Sequence, residues 1–162
     1  MGGATGGQAA KATAPRRPRA TAPAAPVDVA PADVPTEEQP TANAERGEHE
    51  LTLAGITYRL RPSHGALKTI ETKIGRATLS LIRLGNASDL TLSQLGVIAA
   101  EFIRVGANPD DRFTRNISAE RIEELIFEEG LPHATARLTL CLLDAATGGR
   151  TASGEAKAAE AT

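Results

Sequence analysis

Between Glu48 and Arg61 the chain alternates. Leu51 and Leu53 are separated by polar residues, Ala54-Gly55 interrupts, and Ile56, Tyr58 and Leu60 resume the two-residue period. Alternation on both sides of a glycine predicts a β-hairpin with one buried and one wetted face. Gly55 supplies the positive φ that a tight turn demands. Two strands are marginal by themselves in water, so the rest of the chain must cover them. The residues after the hairpin are helical in pattern: Pro62-Ser63 places a capping hydroxyl ahead of Leu67, Ile70 and Ile74, which recur at helical spacing. The fold class expected is α+β, mostly α, with an N-terminal β-hairpin packed on a small bundle of about four to five helices and disordered termini.

Residues 1–44 carry seven prolines, from Pro15 to Pro40. Their only large apolar side chains besides Met1 are Val27, Val29 and Val34. Such a stretch cannot bury enough surface to offset chain entropy, so a disordered arm is expected. Its basic cluster (Lys11, Arg16, Arg17, Arg19) lacks interleaved aromatics and reads as a solvated linker. Residues 148–162, rich in Ala, Glu and Lys, are expected to form a disordered tail. The intervening residues 45–147, roughly a hundred, suffice for one modest core. The formal charge of −2 offers no global field toward nucleic acid or anionic lipid. A single cysteine, Cys141, excludes an internal disulfide and a multi-cysteine zinc site, and its apolar neighbours mark it as core. No apolar leader core and no run of eighteen apolar residues is present, and a soluble, cytoplasmic product is expected.

Helix signals partition the rest. The first helix is expected over His64–Ile74 with Gly75 closing it, and a short second one over Arg76–Leu84, ended by Gly85-Asn86. Thr91 and Gln94 form a capping box for a third, whose inward face is Leu95, Ile98, Ala99, Phe102 and Val105, and which stops at Gly106. Residues 110–116 read as a loop with solvated aspartates. A fourth helix begins at Ser118, turns Ile122, Leu125 and Ile126 inward and ends at Gly130. Pro132 then opens a fifth that is apolar almost all round in its second half.

No constellation carries catalysis. His49, His64 and His133 stand apart at element edges, so no metal or cofactor site is expected. Ser63-His64 lacks the glycine elbow of a nucleophile, Gly2-Gly3 and Gly6-Gly7 follow no strand, and Glu123 with Glu128 lies on a wet helical face. The two helices meeting at Gly130 admit a helix-turn-helix reading, in which His133, Thr135, Arg137 and Thr139 would enter a DNA groove. Five glutamates on the preceding helix oppose that approach to phosphate, so a nucleic-acid partner is not expected.

Several stretches carry a resemblance. They are Arg46-Gly47-Glu48, the strand Leu51-Thr52-Leu53 with its turn at Gly55, Tyr58-Arg59-Leu60-Arg61, and Gly65-Ala66-Leu67 through Ile74-Gly75. Leu92-Ser93-Gln94-Leu95 leading to Phe102-Ile103-Arg104-Val105-Gly106 completes the set. In these residues the segment from Ala44 to Gly149 resembles the small tail protein family of gene transfer agents and related prophages, described as tail assembly chaperones or tail tube components. The resemblance implies a non-enzymatic role in virion assembly. A chaperone of this kind binds the tape measure protein and other tail proteins, with self-association a further expectation; a tube subunit would remain in the particle. A DNA-binding regulator is the third reading. For partner binding the expected surfaces are the hairpin's outer edge, with Leu51 and Leu53, and surplus apolar surface on the third and fifth helices, with Ile103 and Leu142.

Overall fold

A computed structural model describes residues 48–157; the arm expected to be disordered, residues 1–44, lies outside the described residues. A two-stranded antiparallel hairpin comprises β1 (His49–Leu53) and β2 (Ile56–Leu60), with Leu53 opposite Ile56 and His49 opposite Leu60. Among the described residues six helices come after it: α1 (His64–Ile74), α2 (Thr78–Asn86), α3 (Leu92–Gly106), α4 (Arg112–Arg115), α5 (Ala119–Glu129) and α6 (Leu131–Ala146). The expected class, a hairpin on a mostly helical bundle, is the observed one. Among the described residues no helix is long and apolar enough to cross a membrane.

The hairpin turn takes two residues, both left-handed: Ala54 at φ 50° and Gly55 at φ 77°. That is the geometry whose twist matches paired strands. Gly55 adopts it freely, whereas Ala54 holds its Cβ against the following carbonyl. Leu51, Leu53, Tyr58 and Leu60 form the hairpin's buried face.

α3 is the centre of the packing. Leu95, Ile98, Ala99, Phe102 and Ile103 are fully buried, and Glu101 on the same helix is nearly so. The face expected from periodicity is therefore too narrow: α1, α5, α6 and β2 all lie against this helix, and Val105 is only half-buried. α5 packs chiefly on α3, bringing Ile122, Leu125 and Ile126 inward as expected, while α2 packs chiefly on α6. Burial of Glu101 is matched by two cations: Lys73 Nζ lies 2.7 Å from its Oε1, and the Arg104 guanidinium meets the same oxygen. A buried carboxylate with two charge-assisted partners avoids the cost of an orphaned charge.

Helix ends show how local chemistry sets the boundaries. Ser63 and Ser118 cap α1 and α5 as expected, and Thr91 with Gln94 forms the complete box on α3. α2 has alanine at its N-cap, and its cap comes from another helix. Glu71 of α1 accepts hydrogen bonds from the Thr78 backbone and hydroxyl, both at 2.7 Å, and these bonds hold the Glu71 carboxyl below its ordinary pKa. α2 also runs past its expected end, through Gly85. At that position a Cβ would come within 2.1 Å of Thr139 Oγ1, so Gly85 is a contact point with α6 and not a terminator. Residues 110–116 likewise depart from the loop expected: Asp111 caps α4 by accepting from Thr114 N at 2.9 Å, and hydrogen bonds from the Thr114 side chain and backbone lower its pKa.

The C-terminal boundary needs correction too. Residues 148–157, expected within a disordered tail, fold back onto the domain, and 158–162 lie outside the described residues. Arg150 is buried, with its guanidinium on the Asp144 carboxylate and Nη1 donating to Gly154 O at 2.9 Å. Ala152 O accepts from His64 N at 2.9 Å, at the first turn of α1. Gly154 sits so close to Pro62 that a Cβ would lie 3.0 Å from the Pro62 carbonyl carbon. The stretch is polar by composition, and its order comes from the Arg150–Asp144 ion pair, the bond to His64 N and backbone bonds within the stretch itself, none visible as periodicity.

Two consequences can be measured. Ala54→Asn should raise the unfolding free energy by about 0.5–1 kcal/mol, since asparagine visits the left-handed region more easily than alanine; the denaturant midpoint reads this. Phe102→Ala, which empties the centre of the core, should lower it by about 3–5 kcal/mol.

Candidate partner-binding surface

Leu51, Leu53, Ile103 and Leu142, the side chains expected to offer an apolar surface, are all 0 % exposed and belong to the core. The expectation fails because these side chains face the interior, with helices lying beside both strands of the hairpin. Beside β1, His49 Nε2 reaches Asp144 Oδ2 of α6 at 3.2 Å, and Ala54 N donates to Glu129 Oε2 of α5 at 3.3 Å. Beside β2, Arg61 N donates to Phe102 O at 3.1 Å and Arg59 Nε to Gly106 O at 2.7 Å. A strand edge already met by helices is a poor template for a further strand.

The closure of β2 onto α3 depends on Gly106. A Cβ at that position would stand 2.1 Å from Arg59 O and 2.8 Å from Arg59 C, both backbone atoms that cannot swing away. Arg59 of β2 and Arg61 just past the strand are anchored in turn by Glu48, whose side chain is almost wholly buried. Arg61 Nη2 lies 2.8 Å from Glu48 Oε1, and Arg59 Nη1 lies 3.7 Å from Oε2. Arg59 thus links the strand, the end of α3 and, through Nη2 at 3.4 Å, Asn108 of the next loop.

That arrangement holds open a groove of about 820 Å³ between the hairpin tip and residues 106–114. Its floor includes Tyr58 and Ile103, both buried, and burial pushes the Tyr58 hydroxyl's pKa up. Its rims carry two exposed apolar side chains, Ile56 (44 % exposed) on β2 and Phe113 (78 %) on α4. α4 is held in place by its own bonds: the Asp111 cap, Arg115 Nη1 to Pro109 O at 3.1 Å, and Asn116 Nδ2 to Arg112 O at 2.8 Å. Phe113 is thereby presented on a short ordered element. Periodicity could not single it out, since it stands alone between Arg112 and Thr114. The available signal was the scarcity of aromatics, with only three phenylalanines in the chain. An exposed aromatic beside a groove is the kind of side chain that anchors protein contacts.

Titratable groups elsewhere serve the fold. His49, Asp144 and Arg150 form one cluster. Burial disfavours the charged Asp144, but hydrogen bonds from Arg150 and His49 outweigh it and leave its pKa below the ordinary value. Burial pushes the Cys141 thiol well up, which suits a side chain inside the core. Among the described residues no three His, Cys, Asp or Glu side chains converge as a metal ion requires. Two of the four side chains that a DNA-reading α6 would use are also withdrawn. Thr135 and Thr139 are buried, and their hydroxyls donate to Leu131 O and Thr135 O of the same helix.

Gly106→Ala should cost about 1–3 kcal/mol, because the overpacked contact is backbone on backbone; the same substitution at exposed Gly149, with open space around it, tests the specificity of that loss. The Asp144 cluster predicts a pH dependence. A depressed folded-state pKa contributes stability above the unfolded value of 3.8 and loses it as pH falls through the lower folded value. Wild type should therefore lose more stability than Asp144→Asn below pH 3.8, as thermal melts would read. No protein-family model matches the chain, and neither a curated protein nor a solved structure shows significant similarity to it.

Proposed function

We propose that this protein is a non-enzymatic tail morphogenesis factor of a phage or gene transfer agent, a tail assembly chaperone that holds the tape measure protein until the tube forms around it. Two things support the reading: the resemblance in residues 44–149, and a surface suited to gripping a polypeptide. The observation that carries it is the groove bounded by Ile56 and Phe113. Apolar side chains at both rims offer anchor points for a segment laid between them, and the polar remainder of the lining permits its release. A two-stranded sheet enclosed by helices is poor material for a continuous tube wall, which favours the chaperone over a tube subunit.

Binding of a purified tape measure segment, monitored by fluorescence anisotropy, tests the proposal. Phe113→Ala should weaken the complex at least about tenfold, equivalent to about 1.4 kcal/mol, while leaving the melting temperature unchanged. Unaltered affinity in that variant would rule out the groove. Mass spectrometry of finished particles separates the roles: a chaperone is absent and a tube subunit is stoichiometric. Salt-dependent retention on DNA would instead restore the regulator reading.

A further inference from the structure

Tyr58 is 7 % exposed, and its hydroxyl has no hydrogen-bond partner among the described residues. Buried polar groups are normally satisfied, so a phenol that serves no bond in the fold calls for another explanation. Its oxygen is not sealed inside the protein: among the described residues, Arg61 Nε is the one side-chain polar atom both buried and unpartnered. The open space that Tyr58 borders is the groove, where it forms part of the floor. The charges that act on it are Arg121 of α5 and Asp111, the cap of α4.

The charge of the groove is uneven. Arg59 is offset by Glu48 at 3.7 Å and spends its Nε on Gly106 O. That leaves Asp110 and Asp111 against Arg112, two carboxylates against one cation, and all three are exposed. Asp111 accepts from Thr114 N, whereas the Asp110 carboxylate has no hydrogen bond or ion pair among the described residues. A free hydroxyl, a surplus of negative charge and the uncovered Ile56 and Phe113 therefore converge on one cavity.

We propose that the groove selects a basic-apolar stretch of polypeptide. A large apolar side chain sits between Ile56 and Phe113, a neighbouring lysine or arginine meets Asp110 and Asp111, and a main-chain carbonyl accepts from the Tyr58 hydroxyl. This rests on the groove being the polypeptide-binding surface, and it adds which polypeptide is taken. An acidic stretch, or a phosphate backbone, would bring its charge against two carboxylates. Carbonyls inside a helix are already bonded, so the one that Tyr58 meets belongs to an extended stretch or to the last turn of a helix.

Selection of short random peptides, displayed on yeast, against the full chain tests this, with Phe113→Ala as the counter-target. Peptides that bind wild type and not Phe113→Ala are groove ligands. Lysine or arginine beside a large apolar residue should be enriched among them at least about threefold over the library. The same selection on D110N/D111N should lose that enrichment, while asparagine still caps α4 and keeps Phe113 in place. Against one selected peptide, synthesised and labelled, Tyr58→Phe should weaken binding about three- to tenfold. Its melting temperature should not change, because the hydroxyl has no bond in the fold to lose. Groove ligands without basic enrichment would overturn the selectivity and leave the groove's role intact. So would enrichment that survives D110N/D111N, full affinity in Tyr58→Phe, or a lowered melting temperature in that variant. Should no peptide distinguish wild type from Phe113→Ala, the groove binds no polypeptide and the selectivity falls with it.

Discussion

The end of α3 meets β2 with no side chain between them. Gly106 allows the two backbones to touch, and the bonds from Arg61 N to Phe102 O and from Arg59 Nε to Gly106 O lock that approach. Everything on the hairpin side of the domain depends on this contact. It brings the buried faces of Leu53, Tyr58 and Leu60 onto the central helix, and it closes the strand edge that would otherwise invite pairing with other chains. It also sets the distance between the hairpin tip and α4, which is the width of the groove. A two-stranded sheet has little stability of its own, so the helix-to-strand contact makes the sheet possible.

The same device recurs where helices cross. Gly85 admits Thr139 between α2 and α6, and Gly96 admits Glu123 and the Ala119 carbonyl between α3 and α5. Close approach of this kind increases dispersion contact without requiring large side chains. This suits a chain whose aromatic content is 2 % and whose core, Phe102 and Tyr58 apart, is mostly leucine, isoleucine and alanine. The bulk that aromatics would have supplied is replaced by nearness.

Much of the fold was legible in the residues because short-range rules determine it. The alternation from Leu51 to Leu60, the serine caps at Ser63 and Ser118 and the box at Thr91 each act within a few positions, and each element stands where those signals place it. Apart from α4, whose cap and bonds are local, the departures share one cause, a partner distant in sequence. Gly85 looks like a helix end until Thr139 is brought against it, and residues 148–157 look unstructured until Asp144 and His64 receive them. The binding surface was misjudged for the same reason. Leu51, Leu53, Ile103 and Leu142 are greasy because they are interior, and hydrophobicity alone does not say which apolar residues remain outside. Phe113 and Phe127 remain outside, on helical faces that are otherwise polar or charged.

His49 and Asp144 are 95 positions apart, yet they join the first strand to the helix that shelters it. Synthesis proceeds from the N-terminal side, so the ribosome delivers the hairpin well before α6 exists to cover it. In that interval α3 is already present to meet β2, but the side of β1 that α6 covers stays open until α6 has emerged. Closure of the β1 side therefore waits on the last of the described helices, although the strands are made first.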